Sequence, residues 1–223
     1  MIPKIIWQTY DDIESIPKKV YDNIKKYGEG YEHRIMNNSQ CKKILSGFGK
    51  EYLEAFDNLK EGAHKADLFR YACLYLFGGV YIDIKIELQK NIDEILTHKD
   101  HFYCCLCQYG LFNGFIACTK KLDIFISLMK TMVNFSKSDQ SNYLITVEDF
   151  YNKISEYMKK SPTSYVCPGL YEHLKLTIFY ENINRNPSDE EKDRYGLACE
   201  IHSYDGSIIF NTRYKDYPWK SIK

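Results

Sequence analysis

The stretch AHKADLFRYACLYLFGGVYIDIKIEL, residues 63–88, decides how the rest of the chain is ordered. Residues 63–77 read as a long helix, closed by Gly78-Gly79, where a glycine past the helix end takes up positive φ. Between Ala66 and Phe77 only Asp67 and Arg70 carry charge. A helix apolar nearly all round is a buried helix. Three positions apart, Asp67 and Arg70 share one face of it. Opposite charges in a core helix are costly unless they satisfy each other or a ligand. On the helix alone, a plain i,i+3 ion pair and a ligand-binding pair remain open.

The following residues, VYIDIKIEL, alternate as one strand. Val80, Ile82, Ile84, Ile86 and Leu88 fall on one face, and Tyr81, Asp83, Lys85 and Glu87 on the other. By itself this is an amphipathic strand with a wet face.

Around this segment, strands and helices alternate. Strands are expected at residues 4–8, 31–36, 102–107, 115–118 and 164–167, the last ending at Pro168-Gly169, with strand-like character at 197–204. Helices are expected at 17–26, 39–45, 50–58, 122–135, 146–159 and 188–195, with Ser188 as a cap. The order predicts an α/β domain with a mixed central sheet flanked by helices, whose ligands bind beyond the carboxyl ends of the strands. One domain over residues 1–223 is the expectation at this length, with 196–223 as a C-terminal lid or tail.

Of the 223 residues, 44% are hydrophobic and 27% charged, as in ordinary globular proteins, and the formal net charge is zero. There is no basic footprint for nucleic acid or an anionic membrane. A phosphate-bearing ligand must therefore be held by a few placed groups. The opening MIPKIIWQTY does not read as a secretory signal, and no apolar run is long enough to span a bilayer, so a cytoplasmic location is expected. Eight cysteines lie mostly in apolar runs, as reduced core residues do. Cys104 and Cys107 form a C-x-x-C on a strand that points them to opposite faces, which disfavours a metal or redox role.

Residues 64–86 resemble the donor-site segment of glycosyltransferase family 32 and its relatives, the yeast-type initiating mannosyltransferases and the large clostridial glucosylating toxins. Their pattern is roughly (A/S)-D-x-x-R-Y-x-x-L-x-x-x-G-G-x-Y-x-D-x-D. Asp67, Arg70, Tyr71, Leu74, Gly78, Gly79, Tyr81 and Asp83 fall in register. The resemblance implies a GT-A-type, Rossmann-like fold and transfer of a hexose-type sugar from a UDP- or GDP-sugar to a glycan or other acceptor, with retention of configuration. It implies sugar contacts for Asp67 and Arg70, and ribose or metal contact for Asp83. It implies a place in the same donor site for Tyr81. Trp7, in IPKIIWQT, is the implied stacking residue for the nucleobase; alone, it reads as core. Asn113, in N-G-F-I-A, is implied beside the sugar, and His202 and Ser207 at the diphosphate, although Ile208 stands where the family has tryptophan.

The family's second D-x-D aspartate, the usual ligand of Mn²⁺ or Mg²⁺, is Lys85 here. Three readings follow. Asp83 could hold a metal with help from His202, Glu87 or Asp205. Lys85, about 7 Å further along the strand, could replace the cation against the diphosphate. Or the chain could bind nucleotide sugar or carbohydrate without catalysing transfer. No side chain declares itself a covalent nucleophile; Glu87 and Asp205 are the nearest carboxylates in the matched segments. Oligomeric state is not legible.

Overall fold

In the computed structural model, which describes residues 1–158, 166–182, 199–215 and 217, a parallel layer comes first in the chain. β1 (Ile5–Thr9) pairs in parallel with β2 (Glu32–Met36) on one side and β3 (Gly79–Ile82) on the other. α1 (Lys18–Tyr27), with Pro17 at its N-cap, makes the first crossover. The second crossover holds α2 (Asn38–Leu45), α3 (Lys50–Asn58) and α4 (Gly62–Phe77). A capping box starts α2: the Asn37 side chain accepts from the Gln40 amide, and the Gln40 side chain accepts from the Asn37 amide.

The remainder runs β4 (Glu87–Leu88), α5 (Ile92–Ile95), β5 (Phe102–Cys107), β6 (Gly110–Cys118), α6 (Asp123–Phe135), α7 (Ile145–Met158), β7 (Gly169–Tyr171), β8 (Leu176–Glu181), β9 (Glu200–His202) and β10 (Ile208–Asn211). The ten strands among the described residues join one mixed sheet in the order β2-β1-β3-β6-β5-β8-β9-β10-β4, with β7 added beside β8. β3 and β4 are joined by four residues yet stand third and last in that order, so the sheet must curl back on itself. One face carries the helical core, including Trp7, Leu74, Phe125, Met129 and Phe150. The other buries Ile6, Val80, Ile82, Phe115, Phe179 and Phe210 in the curl.

The middle of α4 is buried on every side: Leu68, Phe69, Tyr71, Ala72, Cys73 and Leu74 have no exposed surface. It packs against α6 and α2 as well as β3. The reversal that follows uses Gly78 at φ 66° and Gly79 at φ 101°, backbone that L side chains rarely adopt. A Cβ on Gly79 would also come within 2.6 Å of the Ile5 carbonyl oxygen. The Trp7 indole N–H donates to the Gly78 carbonyl at 3.0 Å, and its ring stacks on Phe77 at 5.4 Å. The reversal is therefore held from both ends, and β3 returns along α4.

The expected nine-residue strand is broken. After Ile82 the Asp83 amide donates to the Gly114 carbonyl at 2.7 Å, and the Ile86 amide closes a turn onto the Asp83 carbonyl at 2.9 Å. Ile84 then packs with Ile16, Val20 and Tyr214, apart from Ile82, Ile86 and Leu88 in the curl. Uninterrupted apolar alternation hides the turn, because both sides of it are buried. Gly169 begins a strand where one was expected to end, and β8 and β10 were not expected at all. The expected helix at 188–195, and the first residues of the strand at 164–167, lie outside the described residues.

We predict that Gly79→Ala destabilises the protein by more than about 2 kcal/mol, since φ and the close Ile5 carbonyl both oppose a methyl group. Urea unfolding checks this; a loss below about 0.5 kcal/mol would mean the reversal tolerates a side chain.

Candidate functional site

Because α4 and β3 are joined by a tight reversal, the N-terminal half of α4 lies beside the carboxyl end of β3. That brings Asp67 and Arg70 from the helix to Asp83, the first residue after the strand. β6 runs antiparallel to β3, with Phe115 opposite Ile82, and so delivers Asn113 and Gly114 to the same place. A Cβ on Gly114 would stand 2.8 Å from Asp83 Oδ2, so this close approach requires glycine.

Arg70 is the hub. Its Nη2 donates to Asp83 Oδ1 at 2.9 Å and pairs with Asp67 Oδ1 at 3.1 Å. Its Nη1 donates to the Asn113 carbonyl, and its guanidinium lies over the Tyr81 ring at 4.4 Å. The Asn113 side-chain Nδ2 donates to Asp67 Oδ1 at 3.0 Å and also reaches Thr146 Oγ1 at 3.2 Å and the Tyr71 hydroxyl at 3.4 Å. Asp67 and Arg70 are 4% and 2% exposed, so these bonds lie in a poorly solvated setting.

Burial pushes the Asp67 carboxyl above its ordinary range, outweighing the opposing pull of Arg70 and the Thr146 hydrogen bond. Desolvation works against the Arg70 guanidinium too, but Asp83, Tyr81 and Asp67 more than offset it and hold it firmly cationic. The cluster is thus a fixed cation with two carboxylates, one of them held at a solvation cost that a hydrogen-bonding ligand would relieve.

The cluster opens into a cavity of about 310 Å³, lined among others by Asp67, Arg70, Asp83, Lys85, Asn113 and Thr146. That is the lower end of the range for small-molecule sites. Lys85 Nζ stands 3.8 Å from Asp83 Oδ2, brought there by the turn and not by strand alternation. Tyr109, Tyr143, Glu181 and Arg213 also line the cavity. No sequence motif flagged these four, since each comes from a different loop or strand end. Arg213 is delivered from the chain after β10, where the Tyr214 amide donates to the Lys85 carbonyl at 2.9 Å. Cys107 lines the cavity as well, with burial pushing its thiol up to about 11, far from a reactive thiolate.

Several expected site residues lie elsewhere. Trp7 is fully buried and occupied with Gly78 and Phe77, leaving no face for a base to stack on in this structure. Tyr81 is buried beneath Arg70 and supports it without lining the cavity. His202, on β9, bonds the Gly206 carbonyl at 3.0 Å and Glu200 at 3.2 Å. Ser207 bonds Asp205 at 2.7 Å in the β9–β10 turn. Neither lines the cavity that Asp83 faces. Glu87 accepts from the Asn211 amide at 3.1 Å on the far edge of the sheet.

The metal reading through Asp83 and His202 is therefore not supported by the geometry. No group of three or more His, Cys, Asp or Glu placed to hold a metal occurs among the described residues. The Asp83 carboxylate is instead flanked by two cations, Arg70 and Lys85, which oppose a third positive charge.

Comparison with known proteins identifies the family. Residues 14–102 match the family described as "Glycosyltransferase sugar-binding region containing DXD motif". The "Uncharacterized glycosyltransferase L373" of Acanthamoeba polyphaga mimivirus is 32% identical over 175 residues, 74% of this chain and 69% of that protein. "Mannosyl phosphorylinositol ceramide synthase SUR1" of Saccharomyces cerevisiae is 26% identical over 140 residues, 61% of this chain and 36% of that protein. "Inositol phosphoceramide mannosyltransferase 3" of Schizosaccharomyces pombe is 24% identical over 204 residues, 84% of this chain and 57% of that protein. The chain thus spans less than two thirds of either fungal relative. Among solved structures, "PaToxG Glycosyltransferase" superposes with a TM-score of 0.53 at 17% identity, covering 71% of each chain, which supports the GT-A-type fold. With a relative matched over most of both chains and the sugar-binding region in register, this protein belongs to glycosyltransferase family 32, the family of the DXD-containing sugar-binding region.

Proposed function

We propose that this protein moves a hexose-type sugar from a nucleotide-sugar donor, UDP- or GDP-linked, to a glycan-type acceptor with retention of configuration. The observation that carries the proposal is the buried Asp67–Arg70–Asp83 cluster opening into a cavity. Hydroxyls of a bound sugar would hydrogen-bond Asp67 and Arg70, and such charge-assisted bonds contribute roughly 1.5–3 kcal/mol each. The nucleotide would lie beyond the carboxyl ends of β1, β2 and β3, where open α/β sheets bind ligands. The fungal relatives named for mannosyl transfer support a hexose.

In the proposed reaction, the bond from the anomeric carbon to the departing phosphate oxygen breaks. A bond to the acceptor oxygen forms on the same face, and the acceptor's proton passes to the leaving phosphate. Negative charge grows on the diphosphate, so stabilising it is the main electrostatic task. Lys85 and Arg213 line the same cavity and would supply that charge in place of a divalent metal. The pairing of Asp83 with Arg70 and Lys85 supports this assignment over metal ligation. The same Lys85 also favours a second reading, donor binding without transfer.

Three outcomes are expected. With UDP- and GDP-sugars, the protein releases nucleotide, and the release persists in EDTA. Lys85→Asp makes release depend on Mn²⁺. Loss of native activity in EDTA with recovery on Mn²⁺ would refute the metal-free assignment, and absence of release with every donor would favour the binding-only reading.

Asp67→Asn separates function from stability. Turnover should fall at least about 100-fold, equivalent to about 2.7 kcal/mol. The stability of the variant relative to wild type should depend on pH. The folded Asp67 carboxyl titrates above its unfolded value, so its contribution is retained at low pH and lost as pH rises through the folded pKa. Urea unfolding between pH 4 and 7 should therefore show wild type losing ground to Asp67→Asn as pH rises. A gap independent of pH would contradict this.

A further inference from the structure

Two large aromatic side chains at the cavity have no role in the donor reading. Tyr109 is 60% exposed and Tyr143 is 58% exposed, although both line the cavity beside Asp67 and Asn113. Exposed rings of this size at the mouth of a polar cavity mark a contact surface.

Tyr143 is held in place despite its exposure, and so is the backbone on either side of Tyr109. Tyr143 precedes α7, and its carbonyl accepts a hydrogen bond from buried His64 Nε2 at 3.0 Å. The His64 ring lies 5.2 Å from the Tyr143 ring and edge-on to Phe135 at 4.9 Å. His64 is one turn ahead of Asp67 on α4, so a single rigid helix sets the spacing between Tyr143 and the sugar-binding carboxylate. Tyr109 sits in the β5–β6 turn. The adjoining Gln108 amide donates to Glu181 at 2.9 Å. Gly110, next to Tyr109, packs so closely on α7 that a Cβ there would stand 2.8 Å from the Val147 carbonyl oxygen. Val147 lies in the first turn of α7 and Tyr143 just before it, so both tyrosines stand at the same junction between the β5–β6 turn and the start of α7.

From this arrangement we infer that Tyr109 and Tyr143 form the acceptor subsite, and that its occupant is a pyranose ring. A pyranose presents a face of C–H groups and a rim of hydroxyls. The C–H face suits a tyrosine ring, whose body is apolar and whose hydroxyl remains wet. The hydroxyl rim would then meet Glu181, Asn113 and Thr146, all lining the same cavity. Rings carried on a fixed backbone bind at lower entropic cost than rings on a mobile loop. The inference deepens the transferase reading and rests on it, but the sugar platform can be measured without turnover.

The test is saturation-transfer NMR on the full chain with the methyl α-glycosides of glucose, galactose and mannose at millimolar concentration. Ring C–H protons of at least one glycoside should receive saturation from wild-type protein. The transfer should fall at least about fivefold in Tyr143→Ala and in Tyr109→Ala, and stay within about twofold in Tyr143→Phe. Tyr204→Ala, at a residue 51% exposed in the β9–β10 turn, serves as the control for loss of any exposed ring and should change nothing. No saturation of any glycoside by wild type, or saturation in the two alanine variants equal to that in wild type, would overturn the inference. Saturation that depends on the tyrosines, in a protein that releases no nucleotide from any donor, would sink the transferase reading and leave the platform standing.

Discussion

One guanidinium organises this structure. Arg70, on a helix with almost no other charge, is paired with Asp67 on its own helix, with Asp83 after β3 and with the Asn113 carbonyl on β6. Three elements, the consecutive α4 and β3 and the more distant β6, are tied at one buried point. Removing one partner from such a pair costs about 3–5 kcal/mol, because the remaining charge is left buried and uncompensated. An apolar replacement of the whole cluster would often cost nothing. A core helix that nevertheless keeps these charges is better understood as preorganised for a ligand than as optimised for folding, and the adjoining cavity supplies the place for one.

How the charges come together depends on backbone geometry as much as on the charged residues. The Gly78-Gly79 reversal folds β3 back along α4, so positions sixteen apart in sequence, Asp67 and Asp83, meet around one guanidinium. The turn at 83–86 then does two things. It ends β3 where Asp83 faces the cavity, and it swings Lys85 to within 3.8 Å of the same carboxylate. A straight strand would have carried Lys85 away along the sheet. On the proposed reading, this turn is what lets a lysine serve where the family pattern has an acid.

The sequence made α4, its glycine end and the Asp67–Arg70 face legible, because burial and helical spacing are local properties. The interruption at Asp83 was hidden, since Ile82, Ile84 and Ile86 are all buried and only their separate packing clusters reveal the turn. Trp7 shows the limit of a carried-over role: the residue is where the pattern places it, but its indole is spent on the Gly78 carbonyl. His202 and Ser207 likewise match by position and sit in a hairpin away from the cavity. Tyr109, Tyr143, Glu181 and Arg213 could not be found from spacing, because only the tertiary fold, the curl of the sheet and the packing of α7 on it, brings them to one opening.

The central claim is that the Arg70 cluster recognises the sugar of a donor and is not merely an internal ion pair. Titration calorimetry of UDP against UDP-glucose, and of GDP against GDP-mannose, tests it most directly, with the wild-type protein and Asp67→Asn compared side by side. One nucleotide sugar should bind about 10- to 100-fold more tightly than its nucleoside diphosphate, as charge-assisted sugar contacts would give, and that advantage should vanish in Asp67→Asn. Equal affinity for diphosphate and nucleotide sugar in wild type, or an advantage that survives Asp67→Asn, would contradict the account.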